Sequence, residues 1–341
     1  LNDKIAFTPT AILFDNFIIK DERDNDLAIN GKIDSENFSN FGFDLALNAD
    51  DFKAVNSKAK DNDLYYGELF LDNHLKISGN LDNPVVEGTI KINKDTKFTI
   101  VLPQSDPSIA DREGIVEFID QDNPQLTETV VLEQLNSEMG IRGINASVNI
   151  EIDKEAELSI IIDKANGDFI KVKGEAQLNG GIDPSGKTTL TGRYELSEGS
   201  YEMNFNGIKR KFDIKKGSYI LWTGEPTTAD INISAIYKTE AAPIDLVNDQ
   251  LGTVTAEVRN TYKQKLPFET VLKMTGELMK PTISFDIVLP EGNNTVSTEI
   301  INTTQAKLTQ LRQHPDELNK QVFALLLLNR FIGENPFASE T

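Results

Sequence analysis

The chain has no cysteine in its 341 residues. That excludes disulfides, thiolate metal sites and cysteine nucleophiles. Histidine is nearly absent too: His74 lies in a pair of strand-like segments, and His314 precedes a proline. Imidazole chemistry therefore has little to work with. There is no Gly-x-Ser-x-Gly elbow, no glycine-rich phosphate loop before a helix and no His-Glu-x-x-His. Lysine and arginine number 34 against 54 acidic residues, a net charge of −20. Such a balance argues against nucleic acid, which needs a basic surplus, and against a wide footprint on anionic headgroups.

Long hydrophobic runs are also missing. The longest late one, Phe323 to Leu328, is far below the roughly 20 residues of a spanning helix. Leu1-Asn2-Asp3-Lys4 opens directly on strand-like sequence rather than on a signal peptide. The pattern starts in its middle, as expected for a fragment of something longer. Acidic pairs such as Asp21/Glu22 and Asp24/Asp26 are frequent, and with 54 carboxylates some adjoin by chance. Asp61-Asn62-Asp63 lacks the loop glycine and closing glutamate of an EF-hand. Neither an enzyme nor a cofactor is expected.

What the chain does have is alternation. Gly192-x-Tyr194-x-Leu196-x-x-Gly199-x-Tyr201 runs through Phe205 into Phe212-x-Ile214, Ile220-x-Trp222 and Pro226. Apolar residues at every second position predict antiparallel strands with one dry face. Similar strand-like segments recur from Ala11 to Leu102 and from Ile144 to Leu289, with no amphipathic helices between them. The fold class is all-β. Four regions follow: residues 1–103, the first part of the sheet; 104–143, loop-rich, with a strand at Ile115–Ile119 and a short helix near Thr129–Glu138; 144–290, the second part; and 291–341, a helical tail. In the tail, helices are expected at Thr304–Gln313 and at Leu318–Ile332, with a stop at Gly333. Gly79-x-Leu81-x-x-Pro84 is echoed by Gly276-x-Leu278-x-x-Pro281, two turns of one kind.

The dry face is the candidate site. Its later part comprises Leu158, Ile160, Ile162, Ile170, Val172, Leu178, Tyr194, Leu196, Tyr201, Met203, Phe205, Phe212, Ile214, Ile220, Trp222, Ile231, Ile233, Leu272, Met274, Ile283, Phe285 and Ile287. Two arrangements satisfy it: a sandwich whose halves fill each other, or a sheet curled into a partly open trough. Roughly 18 strands at ~4.8 Å would extend on the order of 90 Å. The tail helix either caps the end of the sheet or docks on a partner or membrane; Leu325–Leu328 is more apolar than an end cap requires, and docking is expected of Leu325, Leu326 and Phe331.

Gly192-Arg-Tyr194-Glu-Leu196-Ser-Glu-Gly199-Ser-Tyr201, Gly217 to Pro226, Ala229 to Tyr237, the Gly276/Pro281 hairpin and Leu328-Asn329-Arg330-Phe331 resemble the C-terminal region of the TamB family. These are periplasmic proteins related to AsmA-like bridge-type lipid transporters. The resemblance covers most of the chain and is clearest from about residue 140. It implies an elongated, taco-like folded sheet with an apolar groove lined by the residues above. It also implies phospholipid acyl chains as cargo, a role in outer-membrane biogenesis and an outer-membrane barrel partner of the Omp85 type. An inner-membrane anchor would lie on an N-terminal region outside this sequence. Assembly of outer-membrane barrel proteins, by a chaperone or scaffold, is the alternative it leaves open.

Overall fold

A computed structural model of the protein describes residues 4–36, 40–101, 143–164, 167–205, 207–252, 254–278, 280–292 and 296–333. Their sixteen strands form one sheet. The first seven are β1 (Ile5–Phe7), β2 (Ala11–Lys20), β3 (Asp26–Glu36), β4 (Asn40–Ser57), β5 (Tyr65–Asn80), β6 (Pro84–Ile92) and β7 (Lys97–Val101). After these come β8 (Asn145–Ile152), β9 (Glu157–Asp163), β10 (Asp168–Ile182), β11 (Thr188–Phe205) and β12 (Ile208–Ile214). The last four are β13 (Tyr219–Gly224), β14 (Asp230–Ala241), β15 (Leu266–Glu277) and β16 (Thr282–Val288). The strand expected at Ile115–Ile119 and the helix near Thr129–Glu138 lie outside the described residues. Pairing is antiparallel except at one seam, where β6 meets β8 and β7 meets β9 in parallel.

The sheet bends because long strands cross between two arms while short strands stop at the crease. Tyr65–Glu68 of β5 pairs with β7, whereas Leu71–Gly79 pairs with β6. In β10, Asp168–Lys173 takes β9 and Ala176–Ile182 takes β8. The same division in β11 gives Ser200–Phe205 to β12 and Leu190–Glu195 to β13. Three turns therefore line up along the crease: Asn93–Thr96, Asp153–Ala156 and Lys215–Ser218. Each ends in a small, buried residue, with Thr96 at 1%, Ala156 at 0% and Ser218 at 3% exposure.

Backbone groups released from the ladders at the crease need other partners. Thr96 Oγ1 donates to the carbonyl of Phe70 and accepts from its N–H, both at 3.1 Å. Ser218 Oγ donates to the carbonyl of Lys215 at 2.7 Å and accepts from the N–H of Ser234 at 3.1 Å. Long strands bend through bulges, with register shifts at Ala49/Phe52 in β4 and at Lys173/Gly174 opposite β11. A bulge adds a residue and increases the local twist. Here the β11 bulge also shifts the apolar set from Tyr194 and Leu196 to Tyr201 and Met203 without changing face.

Folding over the crease shortens the assembly. Thirteen strands lie on one hydrogen-bonded path, with β7, β9 and β13 beside it. At ~4.8 Å per strand the ladder is roughly 60 Å long, not the 90 Å expected from end-to-end counting. The two echoed turns are both hairpins, β5–β6 and β15–β16, with Gly79 at φ +87° and Gly276 at φ +90°.

Residues 243–262 add two 3₁₀ turns and the short helix α1 (Ala256–Thr261), and bury Leu246, Val247, Leu251 and Tyr262. The tail forms α2 (Thr298–Leu311) and α3 (Pro315–Leu328). Pro315 sits in the first turn of α3 beside Asp316 and Glu317, where a missing N–H and negative charge are tolerated. The helix stops at Leu328, earlier than the glycine at 333 suggests. Asn329 takes the left-handed conformation (φ +53°) and its N–H donates to Leu325, a common helix ending.

Candidate functional site

Strand register traces one apolar row from β4 to β16. Leu45 pairs with Ile77, Ile77 with Val86 and Val86 with Ala146. Ala146 pairs with Ile182, and further along β10 Ala176 pairs with Tyr194. Tyr194 then pairs with Ile220, Ile220 with Ile231, and Ile233 with Met274, which meets Ile283. Tyr201 pairs with Ile170 and with Phe212 on the other arm of the same face. Gly192 lies between Leu178 and Trp222. A Cβ at Gly192 would sit 2.5 Å from the carbonyl of Gln177, and its φ of +127° is one that L side chains rarely adopt.

The face is uniform in chemistry but not in closure. Val172, Leu178, Tyr194, Leu196, Phe212, Ile214, Ile220, Ile231, Ile233, Leu272, Met274 and Ile287 are buried in one core to which both arms contribute. Leu158, Ile170, Tyr201, Met203, Trp222 and Phe285 pack against it while partly exposed. Ile160 and Ile162 are half-buried, Ile283 is 55% exposed on the edge strand, and Phe205 pairs with Ile208 at the end of a hairpin. In β1–β7, Leu45, Leu47, Leu75, Ile77 and Ile90 are only half-buried. The apolar residues fully buried in that half are Ala11, Phe17, Ala49 and Phe70. So the trough is open along its first half and filled along its second.

Leu325, Leu326 and Phe331 correct the expectation of an exposed docking helix. Their exposures are 0%, 0% and 1%. The Phe331 ring meets Phe268 of β15 edge-on, centroids 4.8 Å apart. Gln321 exchanges two hydrogen bonds with the backbone of Ile332 and so pins this segment to α3. Arg312 holds the Asp286 carboxylate at 2.9 Å and the carbonyl of Ile287 at 3.0 Å. Lys307, nearly buried, pairs with Asp249 at 2.7 Å. These residues are core and closure of this chain, because an apolar helix next to an open apolar sheet is most stable when it covers it.

Polar chemistry on this face is sparse. The Tyr194 hydroxyl is buried with no hydrogen-bond partner, and burial pushes its phenol pKa well up. Tyr201 is pushed up to about 12, first by burial and then by Asp168. Outside the bend, Phe70 is covered by the Arg23 guanidinium, 4.0 Å from its ring centroid, and by Lys53. A polar cleft there mixes Arg23, Lys94, Lys97 and Lys173 with Glu68, Asp95 and Glu155. Ion pairs such as Arg23–Asp95 at 2.8 Å neutralise much of it. Among the described residues no group of three His, Asp or Glu is placed to hold a metal, and no helix is long and apolar enough to cross a membrane.

Residues 15–340 match the family model of the TamB C-terminal domain. The chain belongs to the TamB family. No curated protein matches it. The family is associated with outer-membrane assembly, and membership makes this a periplasmic, envelope-associated protein. The sequence reading missed the crease residues of this TamB domain, Thr96 and Ser218 above all. A signal existed: Asn93-Lys-Asp-Thr96, Asp153-Lys-Glu-Ala156 and Lys215-Lys-Gly-Ser218 share a lysine second and a small residue fourth.

Proposed function

We propose that the apolar face carries phospholipid acyl chains between the inner and outer membranes, as the periplasmic part of a bridge-like protein. The observation behind this is the continuous register-linked apolar row whose first part, Leu45, Ile77 and Val86 on β4 to β6, stays half-exposed. A sheet face of that length left open to water is costly unless something apolar covers it. Acyl chains suit it, since each buried methylene gains ~0.8 kcal/mol without a specific polar contact. The chains lie along β4 to β6 and β9, where Leu45, Leu47, Leu75, Ile77, Ile90 and Ile160 are half-buried. The headgroups stay in water, so the acidic exterior is no obstacle. No reaction and no cofactor belong to this reading. An Omp85-type barrel would receive the C-terminal end, and an anchor in the inner membrane would hold the other.

A second reading, a scaffold for barrel-protein assembly, is favoured by one feature. Among the described residues β16 pairs only with β15, and its other edge, near Thr282–Phe285, is the place for strand addition. Native mass spectrometry of gently purified protein separates the two. Bound phospholipid, lost in an Ile160→Asp variant that keeps its melting transition, supports conduction. Ile233→Asp should instead unfold the domain, because Ile233 is 2% exposed in close packing and a carboxylate there is unsolvated. Protein free of lipid, or lipid retained by a folded Ile160→Asp variant, would refute the proposed cargo path.

A further inference from the structure

One polar side chain interrupts the apolar face in the open part of the trough. Asn73 of β5 pairs with Ala49 on one side and Ile90 on the other, and alternation puts it on the face of Leu71, Leu75 and Ile77. It is 7% exposed, and its Oδ1 is buried without a hydrogen-bond partner. The residue before it is accounted for: Asp72 points outward and accepts from the N–H of Asp51 at 2.8 Å and from Asn93 at 2.7 Å. Other buried side-chain oxygens are also unpaired. Tyr194, Thr239 and Thr270 stand in the filled part, Thr239 beside Phe268 and Thr270 beside Ile287. Ser35 and Ser57 stand at the ends of β3 and β4. Asn73 combines a mid-strand position with half-buried apolar neighbours, Leu71, Leu75, Ile77 and Ile90.

From this we infer that Asn73 is a specificity-determining residue of the trough, selecting cargo that carries a hydroxyl at or next to the start of an acyl chain. A buried acceptor left unpaired costs more than an ordinary hydrogen bond gains, so a ligand that supplies a donor there is favoured over one that does not. A plain acyl chain has no donor, and the two esters of a diacyl lipid only accept. A hydroxyl can donate to Oδ1 and accept from the amide of the same side chain. Two lipid chemistries supply it: a β-hydroxyacyl chain, and a monoacyl glycerophospholipid whose glycerol keeps a free hydroxyl beside the ester. In both, the hydroxyl is only a few bonds from the chain, so the chain covers Leu75, Ile77 and Ile90 while the charged end stays toward water. The inference rests on the proposed cargo path and adds which acyl lipid that path prefers.

Competition binding to the full chain, read by native mass spectrometry, tests it with two ligand pairs that differ only in the hydroxyl. One pair is β-hydroxymyristic against myristic acid. The other is a monomyristoyl phosphatidylethanolamine against its analogue lacking the glycerol hydroxyl. The parent should prefer the hydroxylated member of at least one pair by about fivefold, the value of one neutral hydrogen bond, and the pair that shows it identifies the source. Asn73→Leu keeps the volume and removes the unpaired acceptor, so it should fold, bind the plain chains as well as the parent does and lose the preference. Asn73→Ala repeats the test should Asn73→Leu pack badly. Equal binding within both pairs by the parent would overturn the inference and leave the cargo path standing. So would a preference that survives in the folded Asn73 variants. Binding of none of the four ligands would refute the cargo path itself, and the inference with it.

Discussion

Phe331→Ala should destabilise the domain far more than its place near the end of the chain suggests. The ring is 1% exposed and packs edge-on against Phe268, itself fully buried. Removing a buried Phe side chain costs about 3–5 kcal/mol through lost transfer energy and the cavity left behind. The aromatic pair adds about 0.5–1.5 kcal/mol beyond area burial. At roughly 2–4 °C per kcal/mol for a domain of somewhat smaller size, melting should fall by at least about 6 °C. Urea unfolding followed by circular dichroism measures the free energy directly. Truncation after Glu291 should do more, since it also removes Leu325, Leu326 and the Arg312–Asp286 contact. Phe323→Ala is the control: its side chain is partly exposed, and about 1 kcal/mol is expected. If Phe331→Ala and the truncation both melt within about 2 °C of the parent, the helices are not core, and the assignment of Leu325, Leu326 and Phe331 fails.

Thr96→Val keeps the shape at the crease but removes the hydroxyl that serves both the N–H and carbonyl of Phe70. A loss of about 1–3 kcal/mol in urea unfolding is expected, and a neutral result would mean that water replaces the bond. Tyr201 carries a pH dependence. Its phenol is raised from 10.0 to about 12 in the folded chain, so the neutral form is favoured by folding. The stabilisation is fully present below pH 10 and is lost as pH rises toward 12. Melting should therefore fall over that window, and Tyr201→Phe should flatten part of the fall; an identical alkaline profile in the variant would remove Tyr201 as its source.

Much of the strand pattern was legible in the sequence because alternation is local. β2 and β12 fall at the expected residues, and both Gly-x-Leu-x-x-Pro turns are hairpins. Strand continuity was less legible. β5 and β11 each look like two strands: in β11 a bulge interrupts the alternation without ending the ladder, and in β5 the polar pair Asp72-Asn73 does so. Asp50-Asp51 looks like a turn and hides the rest of β4, where Asp51 adopts φ +49°. The members of the apolar face could be picked out, but their closure could not: Ile160 and Ile233 are both apolar strand residues, and only the packing of α2, α3 and residues 243–262 separates an open stretch from a filled one. The same limit applies to the tail. Leu325 and Phe323 are equally apolar in sequence, yet the rotation of α3 buries one and exposes the other.

The parallel seam bears on how the molecule is put together in time. On either side of it, most strands pair with a close neighbour in sequence, through short connections that close quickly. At the seam Val85 must find Asn145 and Lys97 must find Glu157, sixty residues apart in each case. Encounters over such separations are the slow ones. Two locally formed leaves, each with an uncovered edge, would thus precede the complete sheet. Until β8 and β9 arrive, the edges of β6 and β7 are the places where a newly made chain is most able to pair with the wrong partner.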